Sequence, residues 1–136
     1  MRIGIVRARF NEEYTEEMLE AAERKADELG LEVAEVVEVP GSHEVPLAAS
    51  KLLERDDIDG LAVVGAVIKG ATDHDEVIAH NVSKQLLELS TDHGKPVGLG
   101  IIGPNVSWSQ VEKRTESYAE KAVEAVKDTF EELESV

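Results

Sequence analysis

The run Leu61-Ala-Val-Val-Gly-Ala-Val-Ile68 holds no charge and no strong helix periodicity. Such a run, rich in β-branched residues, reads as a strand covered on both faces, as at the centre of a parallel sheet. It is far short of the ~20 residues that span a bilayer. The short apolar runs Ile3–Val6 and Val97–Ile102 and the β-branched Glu32–Val39, ended by Pro40-Gly41, predict three more strands. Between them lie amphipathic stretches. Met18, Leu19, Ala22, Ala26 and Leu29 give one helical stripe over Thr15–Leu29, stopped by Gly30. Val45–Arg55 predicts a short helix with Pro46 in its first turn. Asp73 with Glu76 suggests a capped start for a helix burying Val77, Ile78, Val82, Leu86 and Leu89. Ser107 with Gln110 opens a last helix through Trp108, Val111, Thr115, Tyr118, Ala122, Ala125, Thr129 and Leu133. Strict alternation of strand and helix implies right-handed crossovers. The expected fold is α/β: a four-stranded parallel sheet with helices on both faces, a flavodoxin-like three-layer sandwich.

Composition bounds the partners. The chain has 136 residues, the size of one domain over 1–136, with fourteen Lys+Arg against twenty-nine Asp+Glu and a formal charge of −15. So acidic a chain lacks the cationic excess that binds nucleic acid or an anionic membrane surface. Cysteine is absent, which removes disulfides, thiolate metal sites and thiol catalysis. The first ten residues carry no long apolar stretch, so a cytoplasmic location is expected. The acidity itself suggests a halophilic source, where salt screens self-repulsion; an ordinary acidic protein is the plainer alternative.

In a parallel α/β sheet ligands bind beyond the carboxyl ends of the strands. Four segments fall there: Arg7–Tyr14, Pro40–Glu44, Lys69–His74 and Gly103–Ser107. Lys69-Gly-Ala-Thr-Asp-His74 follows the charge-free run, and free N–H groups around Ala71 and Thr72 at a helix start favour an anion. His74 stands beside them, one turn into the predicted helix, and can move protons near neutral pH. It is equally a structural histidine, and the turn equally a plain joint. Glu44, at another helix start, is either a dipole partner or an acceptor for sugar hydroxyls. Phe10 is either core or a platform for a planar ligand. Arg114 by itself reads as a surface residue.

Taken together these segments carry a resemblance. Arg9-Phe10-Asn11, Val39-Pro40-Gly41-Ser42-His43-Glu44-Val45-Pro46, Gly65-Ala66-Val67-Ile68-Lys69-Gly70-Ala71-Thr72-Asp73-His74-Asp75, Pro96-Val97-Gly98-Leu99-Gly100 and Arg114 occur in order along the chain. They resemble the 6,7-dimethyl-8-ribityllumazine synthase family in its archaeal form. The resemblance implies a riboflavin-pathway transferase that condenses 5-amino-6-(D-ribitylamino)uracil with 3,4-dihydroxy-2-butanone 4-phosphate, releasing phosphate and water, without a metal or redox cofactor. It further implies that Phe10 stacks on the pyrimidine and that Ser42, His43 and Glu44 hold the ribityl chain. Ala66, Val67 and Ile68 would meet the uracil through their backbone, and Ala71, Thr72 and Arg114 would bind phosphate. His74 would shuttle protons. A homopentamer, or a capsid of pentamers, is implied as well, with Leu99 and Arg114 contributed by the adjacent subunit. Leu99 stands where many relatives carry Phe, His43 at a position often aromatic, and Lys69 in place of a frequent Arg.

Archaeal riboflavin synthase, of similar fold, is the nearest alternative, and it needs no phosphate pocket. A non-catalytic flavin- or lumazine-binding module and a shell protein are further alternatives. A phospho-receiver is disfavoured because Arg7-Ala8-Arg9, not an acidic cluster, follows the first strand. The charge distribution leaves room for an anionic substrate. Residues 60–72 contain one charged side chain, Lys69, and residues 96–111 contain none.

Overall fold

The computed structural model describes residues 1–69 and 74–136. Its elements run β1 (Arg2–Ala8), α1 (Glu12–Glu28), β2 (Glu32–Val39), α2 (Val45–Leu53), β3 (Gly60–Ala66), α3 (His74–His93), β4 (Val97–Ile102) and α4 (Trp108–Leu133). A single 3-10 turn, Ser42–Glu44, leads into α2. The four strands form one parallel sheet in the order β2-β1-β3-β4. From β1 the chain first winds outward to β2, then returns across β1 to β3 and β4. The strand order therefore reverses between β1 and β3, and their carboxyl ends flank a crevice.

Side-chain alternation along the strands builds two cores. Ile3 and Ile5 of β1, with Ala62 and Val64 of β3, pack under α1 and α4 through Met18, Ala22, Val111 and Val123. Val6 of β1, with Leu61 and Val63 of β3, packs under α2 and α3 through Ala49, Leu53, Val82 and Leu86. Every residue of β3 is buried, as its charge-free sequence requires. The expected α/β sandwich is the observed one.

The helices differ from their sequence reading in detail. Helix α1 starts at Glu12, three residues earlier than the apolar stripe suggests, because Asn11 takes a left-handed backbone (φ 64°) and turns the chain at once. The capping box of Ser107 and Gln110 is present in both directions. The buried stripe of α4 is Val111, Thr115, Ala119, Ala122, Val123 and Val126, while Trp108 is 54% exposed and Leu133 is exposed too. A helix of 26 residues extends about 39 Å, roughly twice the length of the six-residue β4 beneath it, so its ends overhang the sheet. Trp108 packs instead on Tyr14, ring centroids 5.5 Å apart. Val77 of α3 is exposed where a buried residue was expected, and Ala79 lies inside. The proposed cap Asp73 lies outside the described residues.

Helix α4 sits unusually close to the sheet. A Cβ at Gly98 would run into the Ala122 carbonyl, so only hydrogen lets helix and β4 approach this far. Gly103 ends β4 at φ 117°, and Pro104 follows through a cis bond.

Candidate active site

The carboxyl ends of β1 and β3 surround a cavity of about 440 Å³, within the usual range for small-molecule sites. Ladder bonds beyond β1, from Arg9 N–H to the Val39 carbonyl at 2.8 Å and from Phe10 N–H to the Pro40 carbonyl at 2.9 Å, carry Phe10 to its rim. The Phe10 ring is 70% exposed, so the core reading is overturned. Across a narrow gap lies the 3-10 turn. Gly41 is the spacer there: a Cβ on it would come 3.5 Å from Glu44 Oε2 and 3.9 Å from Phe10 Cβ. Ser42 is buried, whereas His43 and Glu44 are exposed. Glu44 is the residue that precedes α2, where the helix dipole favours its negative charge.

The floor is the exit of β3. Val67 N–H donates to the Ile102 carbonyl at 2.7 Å, and Lys69 N–H donates to the Val106 carbonyl at 3.1 Å. The two-residue spacing means that 67–69 is still extended and that both of these groups face the β4 side. Alternation turns the peptide groups of Ala66 and Ile68 the other way, where β1 has already ended at Ala8. The Ala66 carbonyl on that side accepts the Asn11 side-chain amide at 3.0 Å. His74, the first described residue of α3, and Asp75 and Ile78 complete the wall. His74 is the first described residue of α3, and the turn expected before it lies outside the described residues.

Phe10, Ser42, His43, Glu44, Ala66, Val67, Ile68 and His74 thus line one cavity, as the motifs imply. Ala71 and Thr72 lie outside the described residues. Leu99 and Arg114 do not line the cavity. Leu99 projects from the edge strand β4 and is 45% exposed; Arg114 is half-buried on α4.

Asn11 and Asp75 carry no role in the motif reading, yet both hold the site together. Asn11 had a signal, since Asn tolerates the left-handed backbone that a sharp strand-to-helix turn needs. Asp75 is buried through tertiary packing that one sequence does not reveal. The first strand's arginines divide in function. Arg7 is buried, pairing with Glu38 at 2.6 Å and donating to Thr15 Oγ1 and the Glu12 carbonyl, so it fastens β1, β2 and α1. Arg9 is exposed beside a second cavity of about 360 Å³ on the Phe10 rim. Among the described residues no group of His, Asp and Glu could hold a metal ion, and no helix is long and apolar enough to cross a membrane.

Comparison with known proteins agrees with this arrangement. The family model described as 6,7-dimethyl-8-ribityllumazine synthase matches residues 1–134. A protein of that name from Staphylothermus marinus is 51% identical over 125 residues, 92% of this chain and 83% of the relative. Namesakes from Methanopyrus kandleri and Saccharolobus islandicus are 50% and 48% identical, each over 92% of this chain and over 88% and 81% of their own lengths. With the match running almost end to end, the chain belongs to the 6,7-dimethyl-8-ribityllumazine synthase family.

Proposed function

We propose that this chain condenses 5-amino-6-(D-ribitylamino)uracil with 3,4-dihydroxy-2-butanone 4-phosphate to 6,7-dimethyl-8-ribityllumazine, releasing phosphate and water. The observation that carries the reading is the meeting of Phe10, Glu44, the Ile68 backbone and His74 on one cavity at the reversal of strand order. The rim ring of Phe10 offers a stacking face for the pyrimidine. Ala66 and Ile68 present peptide groups able to match a uracil edge, and Ser42, His43 and Glu44 offer polar partners to the ribityl hydroxyls. The condensation needs protons moved on and off nitrogen and oxygen as amine adds to ketone and water leaves. His74 at the cavity wall is the group suited to that task. Loss of phosphate needs a partner for the departing dianion, the role assigned to Ala71, Thr72 and Arg114. Holding two substrates in one cavity supplies much of the remaining acceleration.

Residues 1–136 act as one catalytic domain that becomes complete on assembly. Leu99 on an edge strand and Trp108 at the start of α4 leave apolar surface uncovered in one chain, and Arg114 lies outside the cavity. These observations support a homopentamer in which a neighbour brings Leu99 and Arg114 to the site. The acidic helix faces support a halophilic, cytoplasmic setting.

Purified protein incubated with both substrates is expected to form the lumazine and release phosphate together, with neither product when one substrate is omitted. Riboflavin formed from the lumazine alone would instead identify a riboflavin synthase. Bound flavin without turnover would identify a binding module.

A further inference from the structure

Asp75 is the second residue of α3, yet only 4% of it is exposed. Acids in a first helical turn normally stand in water and gain from the dipole alone. Asp75 is instead buried, and its two oxygens are treated unequally. Oδ2 accepts the backbone N–H of Asn105 at 3.0 Å, across 30 residues of sequence. Oδ1 is buried with no hydrogen-bond partner among the described residues. An apolar side chain at this position would avoid the cost of that orphaned oxygen. Core stability therefore does not account for the aspartate.

Its position does. Asn105 has a left-handed backbone (φ 64°) within the loop between β4 and α4. On its other side the same stretch is tied to the cavity floor, since the Ile102 and Val106 carbonyls accept the Val67 and Lys69 N–H groups. The Asp75 bond thus closes a clasp: cavity floor to loop, and loop to the first turn of α3. The residue next to Asp75 in that turn is His74.

We propose that Asp75 is a positioning residue of the reaction, its carboxylate holding the first turn of α3 against the β4–α4 loop so that His74 meets the reacting atoms. This inference rests on the function proposed above. It requires an acceptor at Asp75, not a charge: the amide oxygen of Asp75→Asn can take the Asn105 N–H, whereas Asp75→Ala leaves none.

The experiment compares wild type, Asp75→Asn and Asp75→Ala by steady-state kinetics with each substrate, by melting temperature and by hydrogen exchange at the Asn105 amide. For Asp75→Ala, kcat is expected to fall about 30-fold with KM for both substrates little changed, the size of effect produced by misplacing a catalytic group by a fraction of an ångström. Its Asn105 amide should exchange at least about tenfold faster, as expected for a backbone bond opened locally, while the melting temperature shifts by no more than about 5 °C, the lost bond opposing the gain from removing the orphaned oxygen. Asp75→Asn should restore both kcat and protection. Three results would overturn the proposal: Asp75→Ala turning over like wild type, kcat falling only in step with melting temperature in both variants, or Asp75→Asn being slow although its Asn105 amide is protected. Should Asp75→Ala not fold, the requirement that Asp75→Asn be active and protected still stands or fails alone. A wild-type chain that forms no lumazine overturns the parent reading and this one with it. That failure shows in the wild type, before any variant is compared.

Discussion

The Asn11 side-chain amide donates to the Ala66 carbonyl at 3.0 Å, bridging the carboxyl ends of β1 and β3 where the cavity opens. The same residue holds a left-handed backbone, and its own carbonyl accepts the Tyr14 and Thr15 N–H groups. Two effects can be separated by two substitutions. Asn11→Gly keeps the backbone and loses the bond, a cost of about 1 kcal/mol. Asn11→Ala loses the bond too, but keeps the Cβ that Asn11 already holds in the left-handed region without the polar side chain that makes it tolerable, and should cost about 2 kcal/mol. Urea unfolding of the pair checks that ordering. Both should raise KM for the uracil substrate, because the strand exit proposed to meet the ring is no longer braced.

His74, the first described residue of α3, is exposed and lies outside the buried core. His74→Ala is expected to lower kcat by about 10²–10⁴-fold, the range for a lost general acid–base group. Arg114→Ala should act differently. Loss of the charge-assisted contact to phosphate proposed for Arg114 predicts a rise in KM of about tenfold or more for the butanone phosphate and little for the uracil. Equal effects on both substrates, measured by varying each at saturating levels of the other, would remove Arg114 from the phosphate subsite.

The parallel sheet was legible because its strands are short β-branched runs separated by clear helical stripes. The cavity was legible because three of its walls are contiguous segments, at Phe10, Ser42–Glu44 and Ala66–Ile68. What escaped was what depends on length and distance. The sequence places Trp108 on the apolar stripe of α4, but nothing in it says that the helix outruns the strand below. Asp75 takes no role from its motif, because its partner Asn105 lies 30 positions away. Leu99 reads as a strand residue, and only the sheet order shows that β4 is an edge.

Gly98 tests the closeness of α4 to the sheet. Alanine there would drive its methyl into the Ala122 carbonyl, with Val126 also in the way, and backbone cannot swing aside as a side-chain tip can. Gly98→Ala is expected to destabilise by about 3 kcal/mol, at the upper end for overpacking. The denaturation midpoint reads it, with Gly94→Ala as the contrast: that glycine meets nothing nearby and is strained only by its φ of 66°.

Assembly should depend on salt more than turnover chemistry does. The chain carries −15, with its acids crowded on α1 and α4. Like-charged subunits repel over a distance that shrinks from about 30 Å at 0.01 M salt to about 8 Å at 0.15 M. Sedimentation across a salt series should show the proposed oligomer gaining population as salt rises. An oligomer unchanged at the lowest ionic strength would contradict this.

At the opposite end of the sheet, Arg55 grips Asp57 with two bonds, at 2.9 and 2.8 Å, and its other nitrogen reaches Glu35. The Arg55 bonds hold the Asp57 carboxyl down at about 2, against an ordinary value of 3.8, with Arg2 adding to the effect. A carboxyl lowered by folding contributes stability that is fully present above its unfolded value and is lost as pH falls through its folded one. The contribution of Asp57 should therefore hold at pH 5 and fade between about pH 4 and 2. Because the pair is half exposed, salt screens it and the contribution is modest. Titration followed at the Asp57 carboxyl carbon should give a midpoint near 2 at low salt, moving up as salt is added. Arg55→Gln should return that midpoint toward the ordinary value. Asp57→Asn should flatten the acid limb of the melting curve by the same share, and a limb as steep as the wild type's would mean that other carboxylates carry it.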